Sequence, residues 1–85
     1  MRIIKFYAEW CEPCKALTKV IERNAEKLPV EVQEIDIDKD MESAKAMGVR
    51  GVPTMVILDD NETEIRRHVG MMNDTQFDQF LFGRG

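Results

Sequence analysis

Long apolar runs are absent from this chain. No stretch approaches the roughly 20 residues that a membrane-crossing helix needs, so no membrane partner is expected. Basic stripes are absent too. Lys and Arg are scattered and the formal net charge over the 85 residues is −4, which argues against a nucleic-acid partner. The N-terminus lacks the basic, apolar, small-residue order of a secretory signal, because Lys5 and Glu9 interrupt it. The expected compartment is therefore the cytoplasm. Histidine is nearly missing: His68 is alone and reads as a solvated strand residue. One histidine and one cysteine pair cannot complete a four-ligand zinc site within one chain, so no metal site is expected within it. Repeats, low-complexity segments and linkers are missing as well, and 85 residues make one domain, 1–85.

What the chain has is a strong element pattern. Arg2–Ala8 is apolar on both faces apart from Lys5, the mark of a buried strand. From Glu12 to Leu28, Ala16, Leu17, Val20, Ile21, Ala25 and Leu28 fall on one helical stripe, which Pro29 stops. Val30–Ile37 reads as a second strand, with Val30 and Val32 facing one way and Ile35 and Ile37 the other. Asp38 or Asp40 can cap a short helix through Met47, ended by Gly48. Thr54–Leu58 is a third strand. Asp59-Asp60-Asn61 turns the chain into a fourth, Glu62–Val69, whose charges suit a sheet edge. Asn73 and Gln76 have capping-box spacing before a helix carrying Phe77, Phe80 and Leu81, and Gly83-Arg84-Gly85 is expected to fray. The order is β-α-β-α-β-β-α, an α/β fold. The first two strands, joined by a helix, should be parallel with a right-handed crossover.

Both cysteines of the chain lie in Trp10-Cys11-Glu12-Pro13-Cys14-Lys15, at the junction of the first strand and first helix. Two thiols one turn apart there can close a disulfide on themselves. The sulfur of Cys11 meets backbone N–H groups that have no partner inside the helix, which favours its thiolate. Cys11 is expected to meet solvent and to attack. Cys14, one turn deeper, is expected to be more buried and to resolve the mixed disulfide. Pro13 is tolerated in the first helical turn and stiffens the loop. Glu12 sets a carboxylate beside both sulfurs, where it stabilises the helix start and repels a thiolate. Trp10 shields the pair and offers a flat contact surface. Three other readings of the pair stay open: an inert disulfide, a switch in a binding module, and a metal or iron–sulfur site shared across a dimer.

Phe6-Tyr7-Ala8-Glu9-Trp10-Cys11-Glu12-Pro13-Cys14-Lys15, with Ile35-Asp36-Ile37-Asp38, Gly48-Val49-Arg50-Gly51-Val52-Pro53-Thr54 and Val69-Gly70, resembles the thioredoxin family over nearly the whole chain. The length is closer to that of glutaredoxins, so the resemblance is to a minimal thioredoxin without the strand and helix that precede the first strand in typical members. It implies the thioredoxin fold, a four-stranded mixed sheet with helices on both faces. It implies a protein-disulfide reductase acting through a reversible Cys11–Cys14 dithiol/disulfide, with no bound cofactor. The implied partners are disulfide-containing proteins and an NADPH-dependent flavoprotein, thioredoxin reductase, and a monomer is expected.

The resemblance also implies a cis Val52–Pro53 bond that presents the Val52 backbone to an extended substrate, with Gly70 and Met71 lining the same groove. A glutaredoxin-like enzyme reduced by glutathione is the alternative, against which Val69-Gly70-Met71 lacks the paired glycines of a glutathione loop. Four departures stand out. Glu12 replaces the usual glycine. Lys5 replaces a buried aspartate, and Glu34 replaces the lysine that pairs with it. The hairpin near Asp60 carries one extra residue. Lys5 and Glu34 are thus expected to form an exchanged charge pair, with Glu34 or a linked water accepting the Cys14 proton.

Overall fold

The computed structural model describes residues 1–83; Arg84 and Gly85, expected to fray, lie outside the described residues. Four strands, β1 (Arg2–Tyr7), β2 (Val32–Asp36), β3 (Thr54–Leu58) and β4 (Glu64–Val69), form one mixed sheet in the order β2-β1-β3-β4. β1 is parallel to β2 and antiparallel to β3, and β3 is antiparallel to β4. Three helices complete the order: α1 (Glu12–Arg23), α2 (Met41–Ala46) and α3 (Asp74–Phe82).

Side chains alternate across the central strands, as a period of two requires. Ile3, Met55 and Ile57 pack with Leu17 and Val20 of α1 and with Phe77, Phe80 and Leu81 of α3. Ile4, Phe6, Val56 and Leu58 face the other way, toward Ala44 of α2. Val32 joins the first cluster and Ile35 the second, so β2 is covered on both sides as its pattern implied. By the same parity, Lys5 points to the face that α1 covers, and its side chain meets Thr18 of that helix.

Three boundaries differ from the expected ones, each for a local reason. α1 stops at Arg23, and a separate 3₁₀ turn, Ala25–Lys27, follows. The Asn24 side-chain amide donates to the Val20 carbonyl at 2.8 Å and to Asp74 at 2.9 Å, anchoring the helix end to the start of α3. That hydrogen bond holds the Asp74 carboxyl below its ordinary pKa. Ala25 leaves the stripe as a result, and Ala16, at the stripe's margin, is exposed. β4 begins at Glu64 because Asp59 Oδ1 accepts from the N–H groups of Asn61 and Thr63 and holds that stretch as a turn. Ile57 opposes Arg66 while Leu58 opposes Glu64, so Ile65 is the extra residue of a bulge. Lastly, β2 spans Val32–Asp36, inside the wider run that was expected.

The caps follow their sequence signals. Asp40, not Asp38, caps α2 by accepting from the Ser43 N–H at 3.1 Å. Asn73 and Gln76 form both bonds of a capping box on α3.

Candidate redox site

β1 delivers the chain to the first turn of α1, and the site is built on that junction. Cys11 is the N-cap of α1, with extended backbone angles, and Cys14 lies in the helix's first turn. The Cys14 N–H points at the Cys11 sulfur at 3.2 Å. The two sulfurs are bonded as a disulfide, with a Cα–Cα separation of 5.3 Å, inside the range such a bond needs. Pro13 costs little here, because its missing N–H falls where helical amides have no partner.

The expected difference in burial is small. Cys11 is 4% exposed and Cys14 2%. Cys11 is less open than expected because Tyr7, Ile37 and Val52 pack around the disulfide together with Ala8. Trp10 is 66% exposed, and its indole N–H donates to Asp38 at 2.8 Å. Its polar edge is thereby held, while much of its ring area stays in solvent beside the disulfide. Asp38's role as the tryptophan's acceptor has no local signal in the sequence.

Glu12 and Lys15 form an exposed i,i+3 ion pair at 3.1 Å on the first turn. The carboxylate belongs to the residue that follows Cys11, and the ammonium partly offsets it. Exposed charges interact weakly, so Glu12→Gln is expected to raise the Cys11 thiolate fraction at neutral pH only about two- to threefold. Thiolate absorbance across a pH titration reads this directly. An unchanged titration would mean that Glu12 acts on the helix start alone.

A second wall comes from the loop before β3 and the end of β4. The Val52–Pro53 peptide is cis. Val52 packs against the cysteine cluster, and the Pro53 carbonyl accepts from the Gly70 N–H at 2.8 Å. Gly70 has φ +101°, a conformation that favours glycine. Val69 and Met71 on either side of it are exposed hydrophobics, whereas Met72 is fully buried in the core. His68 lies with Nε2 3.3 Å from the Met71 carbonyl and its ring edge-on to Phe80, away from the sulfurs' own cluster.

Behind Cys14 lies a cleft of about 330 Å³, which Lys5, Thr18 and Glu34 also line. Lys5 and Glu34 are register partners on β1 and β2, and their charged ends meet at 2.7 Å. Lys5 is 1% exposed, while the Glu34 side chain is 52% exposed. The lysine therefore does not reach for solvent. Its ammonium also donates to the Thr18 hydroxyl and lies 5.4 Å from the centroid of the Tyr7 ring. Thr18 in turn donates to the Cys14 carbonyl at 3.1 Å. The helical spacing of four from Cys14 is the one sequence signal that points to Thr18, and the motif that contains Tyr7 assigns its ring no role. Among the described residues, no group of three or more His, Cys, Asp or Glu side chains is placed to hold a metal ion.

The Thioredoxin family model matches residues 1–82. The thioredoxin of Chlamydia muridarum is 41% identical over 70 residues, covering 81% of this chain and 68% of that protein. The thioredoxin of Pseudomonas aeruginosa is 31% identical over 81 residues, covering 93% and 74%. Among solved structures, a mutant thioredoxin from Halobacterium salinarum superposes with a TM-score of 0.85 at 36% identity, covering 95% of this chain and 71% of that one. Fasciola hepatica thioredoxin gives 0.84 at 30% identity, with coverage of 98% and 79%.

Proposed function

Because this chain belongs to the thioredoxin family, and its redox group is the Cys11–Cys14 disulfide, we propose that it runs this protein-disulfide oxidoreductase chemistry in the reducing direction. The observation that carries the reading is the disulfide set on the first turn of α1 with an exposed tryptophan on one side and the cis-Pro53 loop on the other.

The cycle starts from the dithiol. The Cys11 thiolate attacks one sulfur of a protein disulfide; a mixed disulfide forms and the target's second sulfur leaves as a thiolate, later protonated from solvent. Cys14 gives up its proton, with Glu34 or a water linked to it as acceptor, and its thiolate attacks the Cys11 sulfur. The Cys11–Cys14 bond forms and the target's remaining sulfur departs as a thiolate. Two electrons have moved to the target. The amide cradle at Cys11 favours the attacking anion, since unpaired N–H groups at a helix start stabilise negative charge.

Val52, Pro53, Gly70 and Met71 form the substrate groove, in which an extended segment pairs with the Val52 backbone as a short added strand. The chain acts as a single domain over 1–85, as a monomer in the cytoplasm, recharged by an NADPH-dependent flavoprotein thioredoxin reductase. No helix among the described residues is long and apolar enough to cross a membrane.

Insulin reduction measured with two donors tests this. Turnover is expected with NADPH and a thioredoxin reductase, and only background with glutathione and its reductase. The reverse result would replace the proposed donor.

A further inference from the structure

β2 ends the sheet, and its outer edge pairs with no strand among the described residues. Ile37 donates its N–H to the Tyr7 carbonyl at 2.9 Å, and Tyr7 is the register partner of Asp36. In a parallel ladder, Gln33 and Ile35 then turn their backbone groups to β1, while Val32 and Glu34 turn theirs to the open edge. A cleft flanks this edge on each face of the sheet. The one on the α1 face, about 340 Å³, is floored by Ile21, Leu28 and Val32 and rimmed by Glu22, Glu31 and Glu34. Lys5 neutralises Glu34 there. Glu22 and Glu31 are exposed, and neither has a cationic partner among the described residues. The one on the α2 face, about 610 Å³, is floored by Phe6, Ile35 and Met47. Its charged groups are already engaged: Arg2 pairs with Glu62, Lys39 lies near Glu9, Asp40 caps α2, and Asp36 accepts from the Asp38 N–H.

We propose that the open edge of β2 is a docking site for an extended, basic segment of a partner protein, which adds to the sheet as a further strand. Strand addition draws affinity from backbone hydrogen bonds and specificity from alternate side chains. Successive side chains of an added strand point to opposite faces, so one set enters each cleft. The α1 cleft takes Lys or Arg: the aliphatic stem lies on Ile21, Leu28 and Val32, and the charged head meets Glu22 and Glu31. The α2 cleft takes apolar side chains against Phe6, Ile35 and Met47. Charge selects the occupant. Charged residues keep an edge strand from pairing with its own kind, and the unpartnered charges bordering this edge are both negative. A second copy, with formal net charge −4, would set its own glutamates against them, whereas a basic strand is attracted. None of these residues belongs to the cluster around the sulfurs, so docking is independent of their redox state.

The probe is a capped octapeptide of alternating Lys and Val, added to isotope-labelled protein and followed by amide NMR. Shifts are expected at Val32, Glu34 and Asp36, with little change at Trp10, Val52 and Gly70. Hydrogen exchange at the Val32 and Glu34 N–H groups is expected to slow about tenfold at saturation. The double variant Glu22→Lys/Glu31→Lys is expected to bind this peptide about tenfold more weakly and to bind an alternating Glu and Val peptide in its place, while its insulin reduction stays unchanged. Shifts confined to Trp10, Val52 and Gly70, or equal affinity for the two peptides in the unaltered protein, would overturn the proposal. Sedimentation at rising protein concentration addresses the other occupant. A dimer whose dissociation on dilution shifts the same β2 amides would assign the edge to a second copy, and the basic partner would be wrong.

Discussion

Cys11→Ser is expected to reduce insulin no faster than the uncatalysed background, a loss of roughly a thousandfold or more, because the proposed cycle then lacks its bond-forming nucleophile and no other side chain can replace it. The described residues contain no other cysteine; Cys14 sits in the cleft behind the disulfide, bordered by Lys5, Thr18 and Glu34. Cys14→Ser is expected to lose turnover as completely but by another route. The first attack still occurs, and the protein accumulates as a mixed disulfide visible by mass under non-reducing conditions. Serine at either position keeps the volume close to that of cysteine, so the fold is expected to survive. If Cys11→Ser retained even a tenth of the activity, the assignment of the attacking sulfur would be wrong.

Phe77→Ala is the second large effect. Phe77 is fully buried on α3, among Ile3, Leu17 and Met55. Truncating a buried phenylalanine typically costs about 3–5 kcal/mol, part of it lost transfer energy and part the cavity left behind. A domain of this size holds on the order of 4–13 kcal/mol in total, so the variant loses a large share of its stability. Since each kcal/mol moves Tm by about 4–8 °C at this length, a fall on the order of 20 °C is expected. Urea unfolding of the oxidised protein measures the same quantity. Ile65→Ala is the matched control: it removes an apolar side chain from the exposed bulge position of β4 and should stay within about 0.5 kcal/mol. A cost below about 1.5 kcal/mol for Phe77 would mean that the α3 side of the core can collapse around the gap.

These two variants also divide what was legible in the chain from what was not. Cys11 and Cys14 were readable because the chemistry is local: the spacing, the preceding strand and the following helix all lie close together in the chain. The capping box of α3 and the limits of β3 were readable for the same reason, as cap bonds and strand alternation act over two to four positions. The Lys5–Glu34 pair was readable only through the resemblance, since its members lie far apart in the chain and the parallel register joins them. Asn24 was not readable as the end of α1. Its second bond goes to Asp74, fifty residues on. The choice between Met71 and Met72 was equally hidden, because which one enters the core depends on how the chain leaves Gly70 at positive φ.

By itself, then, the sequence determined the order of strands and helices, the capping box of α3, and the pair of sulfurs that can bond, all consequences of short-range sterics and hydrogen bonding. Only the tertiary structure decided what surrounds those sulfurs. Packing brought Val52 and Ile37 over the disulfide and left Cys11 nearly closed. Strand pairing put an enclosed ammonium beside the cleft of Cys14, and the Asp38 carboxylate, 28 residues away, fixed the edge of Trp10. The reason is physical: a field or a contact acts across space, and the separation along the chain carries no record of it until the sheet has formed.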